Sequence, residues 1–254
     1  MNLPLISYVL KASIRDRLIL SLIIFFIVGV SLSFFIGSSA LTEPDGAVLT
    51  FIAGSARFIG VISLVLFVVF HIRRSYDTRD VEYLLSRPIS RVSYVVSHLL
   101  ALSVLSIIFV IVISSGVVIF AYKFLNFEGL LIWSASLALE FMIVSYAAFF
   151  FSMVLSSAVV SAMITLAGYA LARMSGQVLN IIDAGSEIAL FGTLGKIMEA
   201  ASIVVPRFDL FSQSAWLIYG PDTTISLGFI IAHGVAFMLL ILCASIFDLQ
   251  RKEF

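Results

Sequence analysis

The chain has 254 residues, 61% of them hydrophobic and only 12% charged, with a formal net charge of zero. Soluble domains carry about 25% charged residues, so a soluble globular class is excluded. The basic residues are scattered between apolar runs rather than gathered on one face, which excludes a nucleic-acid partner.

Several runs approach or exceed the roughly 20 apolar residues that cross a bilayer. Alternating ten-residue segments of the membrane-barrel kind are absent. The expected fold is all-α and polytopic, a single transmembrane domain of six spans.

Residues 1–17 read as an amphipathic interfacial helix. Leu3, Ile6, Val9, Leu10 and Ile14 recur at helical spacing, Lys11, Arg15 and Arg17 suit lipid headgroups, and Pro4 sits in a first turn that tolerates it. An extension of the first span fits the same residues equally well. The first span is 18–36; it exceeds the roughly 7–15 apolar residues of a signal peptide, so it is read as retained. Thr42-Glu43-Pro44-Asp45-Gly46 then turns the chain.

The second span is 50–72. A polar segment at 77–91 leads into the third span, 92–122. The run from Leu130 to Leu171 is too long for one crossing, and the small-residue patch Ser156-Ser157-Ala158 divides it into spans 130–155 and 159–173. Residues 176–219 carry charges and breakers and hold no spanning run. They are expected outside, as amphipathic or re-entrant helices packed on the spans. Gly220-Pro221-Asp222 turns the chain into the sixth span, 225–247.

Charge sets the expected orientation. Lys11, Arg15 and Arg17 precede the first span, five arginines lie between Arg73 and Arg91, and Arg251 and Lys252 close the chain. The intervening loops are poor in basic residues. By the positive-inside rule both termini are cytoplasmic, in a cell inner (cytoplasmic) membrane.

Catalytic signatures are missing. Gly192-Thr193-Leu194-Gly195-Lys196-Ile197 lacks the spacing and hydroxyl of a phosphate-binding loop. There is no His-Glu-x-x-His pair and no Gly-x-Ser-x-Gly elbow. His71, His98 and His233 fall in separate segments, so no metal site is expected. The single cysteine, Cys243, lies within the last span and reads as a small hydrophobe.

The segment Glu82-Tyr83-Leu84-Leu85-Ser86-Arg87-Pro88-Ile89-Ser90-Arg91, followed by Tyr94 at the opening of the next span, carries a specific likeness. It resembles the coupling segment of ABC transporter permeases of the type-2, export-class fold, and is especially similar to small permeases of copper-enzyme maturation. Members often carry Gly-Thr a few residues before the glutamate, where this chain has Arg79-Asp80.

The resemblance implies a membrane-spanning subunit without an enzymatic site of its own. ATP and magnesium would be bound by two copies of a separate cytoplasmic ABC ATPase, and no cofactor by this chain. A second permease copy or a related permease would complete the path. ATPase coupling would fall to Asp80, Glu82, Leu84, Leu85, Arg87, Pro88 and Arg91. Independently of the likeness, Leu84 and Leu85 suit an apolar cleft, while the charges set register at its rim.

Glu140 lies about ten residues into the fourth span, roughly 15 Å deep. A carboxylate there is costly and faces a partner or a cavity. Arg57 in the second span is expected at similar depth, either paired with Glu140 or near it, as a structural pair or a polar substrate contact. Arg173, at the outer end of the fifth span, reads as an interfacial anchor. Two other functional readings fit the residues. One is a secondary transporter or channel using Glu140; the other is a non-transporting assembly factor contacting an extracytoplasmic partner through 176–219.

Overall fold

The computed structural model of the chain describes residues 3–37, 43–78, 90–184, 205–221 and 226–251. Eight α-helices are present among them: α1 Leu3–Arg15, α2 Leu18–Gly37, α3 Pro44–Asp77, α4 Arg91–Ala121, α5 Phe127–Val154, α6 Ala158–Ala184, α7 Trp216–Tyr219 and α8 Leu227–Arg251. No strand occurs among the described residues. Six of the helices are long and apolar enough to cross a membrane. Their outer faces carry large apolar side chains, among them Phe35, Ile119, Leu131 and Leu171, each at least 70% exposed. Water would not tolerate that area of exposed hydrocarbon, and lipid does. The chain is a multi-pass helical membrane protein.

α1 is a helix of its own. Arg17 takes a left-handed conformation (φ 53°) between α1 and α2, which breaks the rod. Its apolar residues divide between two sides: Leu5, Val9 and Ala12 are buried, while Leu3 and Ile14 are 67% exposed. The buried side packs on α4.

α5 is the central post of the bundle. It packs on α3, α4, α6 and α8, and 61% of its apolar window is buried against 22% for α8. Trp133, Leu137, Phe141 and Phe149 form its fully buried stripe. Asn126 caps its start, accepting the Gly129 N–H at 2.9 Å. Ser90 caps α4 in the same way, accepting the Ser93 N–H at 3.1 Å.

α3 and α6 outrun the spans expected from the sequence by the most, and α8 runs four residues past its expected end. α3 continues through Arg73, Arg74 and Asp77, so at 1.5 Å per residue it is a rod of about 50 Å. Its charged end is held in helix by Arg73, which reaches Asp77 at 3.3 Å and donates to the Leu155 carbonyl at 3.2 Å. That carbonyl lies at the end of α5, where unsatisfied acceptors attract a cation. α6 continues to Ala184, eleven residues past Arg173, and takes in the first nine residues of the expected insert. Gly176 permits this because Asp209 lies where its Cβ would be. The break between α5 and α6 falls at Leu155–Ser157, where Ser161 Oγ donates to the Phe151 carbonyl at 3.1 Å.

Candidate functional site: a buried ion network under a dipping loop

Residues 205–221 fold back onto the bundle through a 3-10 turn at Phe208–Leu210 and the short helix α7. Phe208, Phe211, Ser212, Trp216 and Leu217 are all buried. The loop enters at depth. Ser212 touches Trp133, about 9 Å along α5 from its start at Phe127, and Phe208 lies near Glu140, about 20 Å along. Irregular backbone at that level exposes carbonyls that lipid cannot satisfy, so protein donors must meet them.

Two arginines do so. Arg57 on α3 donates to the Ser212 carbonyl at 2.7 Å, and Trp133 Nε1 donates to the same oxygen at 3.2 Å. Arg173 on α6 donates to the carbonyls of Phe208 and Phe211, the latter at 2.7 Å. The Ser212 N–H donates to Ser136 Oγ at 3.0 Å. These bonds hold Ser212 in a left-handed conformation (φ 47°) that a non-glycine residue adopts only when its surroundings impose it.

Glu140 is fully buried beneath this loop. Its Oε1 accepts the Tyr169 hydroxyl at 2.7 Å, and its Oε2 lies 3.6 Å from Arg173 Nη1. The ionic partner of Glu140 is therefore Arg173, so of the two expected arrangements Arg57 lies near Glu140 rather than paired with it, and Arg173 is not the interfacial anchor expected. Because α6 runs on past it, Arg173 lies inside the helix, its side chain 21% exposed. Arg57 belongs to the same cluster, close enough to Tyr169 and Arg173 to act on both through space. Tyr169 and Arg173 are four residues apart, hence on one face of α6. That spacing was the available sequence signal for the partners of Glu140.

A second polar knot fastens the loop on its other side. Arg207 Nη2 meets Asp209 at 2.8 Å, Ser175 of α6 donates to the same carboxylate at 3.0 Å, and the Arg207 N–H donates to His233 Nε2 of α8 at 3.3 Å. At its far end the Tyr219 hydroxyl donates to Glu43 at 2.7 Å. That carboxylate raises the phenol's pKa above its ordinary value of about 10.

Beside the network an apolar cavity of about 380 Å³ lies between α5, α6 and α8. Tyr169 and Phe208 belong to both, and Val144, Ile164 and Phe237 complete its wall. It suits a hydrocarbon chain and offers nothing to a bare ion. The described residues contain no group of three metal-ligating side chains.

The expected coupling residues Asp80, Glu82, Leu84, Leu85, Arg87 and Pro88 lie outside the described residues, as does the string Gly192 to Ile197. Arg91 is described. Its Nη1 donates to the carbonyls of Leu249 and Gln250, both at 3.0 Å, and so ties the start of α4 to the end of α8. Arg91→Ala should free that end at a local cost of about 1 kcal/mol, well short of global unfolding. Faster amide exchange confined to the last turn of α8 checks this; unchanged exchange there contradicts it.

No protein-family model matches the chain, and no curated protein matches it significantly. The chain is thus a multi-pass helical membrane protein, with six helices of spanning length among the described residues and a loop at 205–221 tethered to a buried ion network.

Proposed function

We propose that the chain is the permease subunit of an ATP-driven ABC transporter, working as an exporter with a separate cytoplasmic ATPase. One observation carries the reading. The string Leu84-Leu85-Ser86-Arg87-Pro88-Ile89-Ser90-Arg91 stands between α3 and α4, where a coupling element belongs.

The architecture supports this with a mechanical route. α3 is one continuous rod that ends six residues before the string in sequence and carries Arg57 about 30 Å from that end. α3 and α4 both pack on α5, the helix that bears Glu140, Trp133 and Ser136. A push on the string therefore moves Arg57 relative to Ser212 and loads the tether of the dipping loop. In this account two ATPases dock on two permease copies in the inner membrane, with the termini on the ATPase side. ATP and magnesium are bound by the ATPases, and the outer loop acts as lid or partner surface.

A secondary transporter or channel working through Glu140 is the less favoured reading, because that carboxylate is committed to Tyr169 and Arg173. A photo-crosslinking amino acid placed at Leu84 in cells tests the proposal. The expected product joins the chain to an ATPase bearing a phosphate-binding loop. Crosslinks to lipid alone contradict it.

A further inference from the structure

A cavity of about 850 Å³ lies between α1, α2 and α3, and none of the residues of the Glu140 network lines it. Its two ends differ in chemistry. At one end stand Arg15, Asp16 and Arg74, with the Tyr8 and Thr78 hydroxyls nearby. Two guanidiniums and one carboxylate line that end, and the Arg15–Asp16 contact is loose at 3.9 Å. Asp16 therefore leaves a net positive charge. His71 lines the same region, 8% exposed, with its buried Nε2 lacking a hydrogen-bond partner. Its ring is fixed in place by stacking on Phe67 with centroids 5.4 Å apart.

Away from these charges the wall is mainly apolar, formed by Phe25 from α2 and Ile59, Ile62 and Leu66 from α3, with the hydroxyls of Ser21 and Ser63 between them. Phe25, Leu66 and Phe70 are each at least 39% exposed, so the groove is open sideways to the bilayer. From Ile59 to Arg74 it follows α3 for about 22 Å, which matches one leaflet, half of a bilayer about 40–45 Å thick with its headgroups. Its volume falls within the roughly 300–1,000 Å³ of small-ligand sites.

We propose that this groove is a binding site for an anionic glycerophospholipid taken from the leaflet on the Arg15 and Arg74 side. The phosphate sits between the two arginines, with His71 Nε2 available to the headgroup or ester oxygens. One acyl chain lies along Ile62 and Leu66 toward Ile59. The bound lipid fills the gap between α1 and the α2–α3 pair and fixes α1 against the bundle. Charge complementarity selects the anionic headgroup, and the leaflet-length apolar wall selects a lipid over a free phosphate. The site does not depend on coupling to an ATPase.

Native mass spectrometry of the full chain tests this, after extraction from phosphatidylcholine vesicles doped with phosphatidylglycerol. The parent should retain phosphatidylglycerol in preference to phosphatidylcholine. Arg15→Ala and Arg74→Ala should each lower that retention about fivefold. Leu66→Trp fills the apolar half from an already exposed position, leaves both arginines, and should lower retention at an unchanged melting temperature. Inorganic phosphate added alone should not displace the lipid. Equal retention of the two lipids, full retention by the double arginine variant, or displacement by phosphate alone would each overturn the proposal.

Discussion

Arg173→Ala is expected to destabilise the protein by about 3 kcal/mol, or roughly 6–12 °C of melting temperature in a chain of this size. The substitution removes the ionic partner of a fully buried carboxylate and the donor to two loop carbonyls at once. Breaking one side of a buried pair leaves an uncompensated charge, which costs far more than an exposed pair is worth. Glu140→Gln should cost less. Its side-chain carbonyl still accepts from Tyr169, and Arg173 still holds the loop. In a double-mutant cycle Glu140 should couple to Arg173 by more than 1 kcal/mol, and to Arg57 by less. Melting curves of the parent and the five variants decide the matter. Equal coupling to the two arginines would contradict the assigned partner.

Gly129→Ala is expected to cost about as much for a different reason. An added Cβ would coincide with the Trp216 carbonyl oxygen, an overlap of backbone with backbone that no rotamer change relieves. Alanine's better helix propensity returns only about 1 kcal/mol. The strain must lift α7 off α5 and break the hydrogen bond from the Asn126 N–H to the Leu217 carbonyl, 2.7 Å in the parent. Limited proteolysis should then cut within 205–221 while the six spans stay resistant. A parental pattern and melting temperature would show that α7 does not dock closely at Gly129.

The six spanning helices were legible because continuous apolar runs of that length have few other solutions, and the small-residue patch at Ser156 and Ser157 marked the break between α5 and α6. Helix ends were harder. Arg73, Arg74 and Asp77 look like loop in the sequence, yet they remain helical because Arg73 finds both Asp77 and the Leu155 carbonyl. Arg173 looked like the last residue of a span, yet the helix continues because Gly176 lets Asp209 approach. Glu140 was legible as a costly buried charge. Its partner was not, because the depth of Arg173 depended on a helix end that only tertiary contacts set. The loop at 205–221 was expected on the outer side, and its descent beside Trp133 and Ser136 rests on donors from three helices that no local pattern links.

We propose that this chain works with a separate ATPase through the segment between α3 and α4. Purification of the tagged chain from its native membrane in mild detergent tests it most directly, alongside a variant carrying Leu84→Asp, Leu85→Asp and Arg87→Glu. The account predicts that an ATPase with a phosphate-binding loop co-purifies with the parent and is lost from the variant, with the variant's melting temperature unchanged. An ATPase absent from the parent in several detergents, or retained equally by the variant, would contradict it.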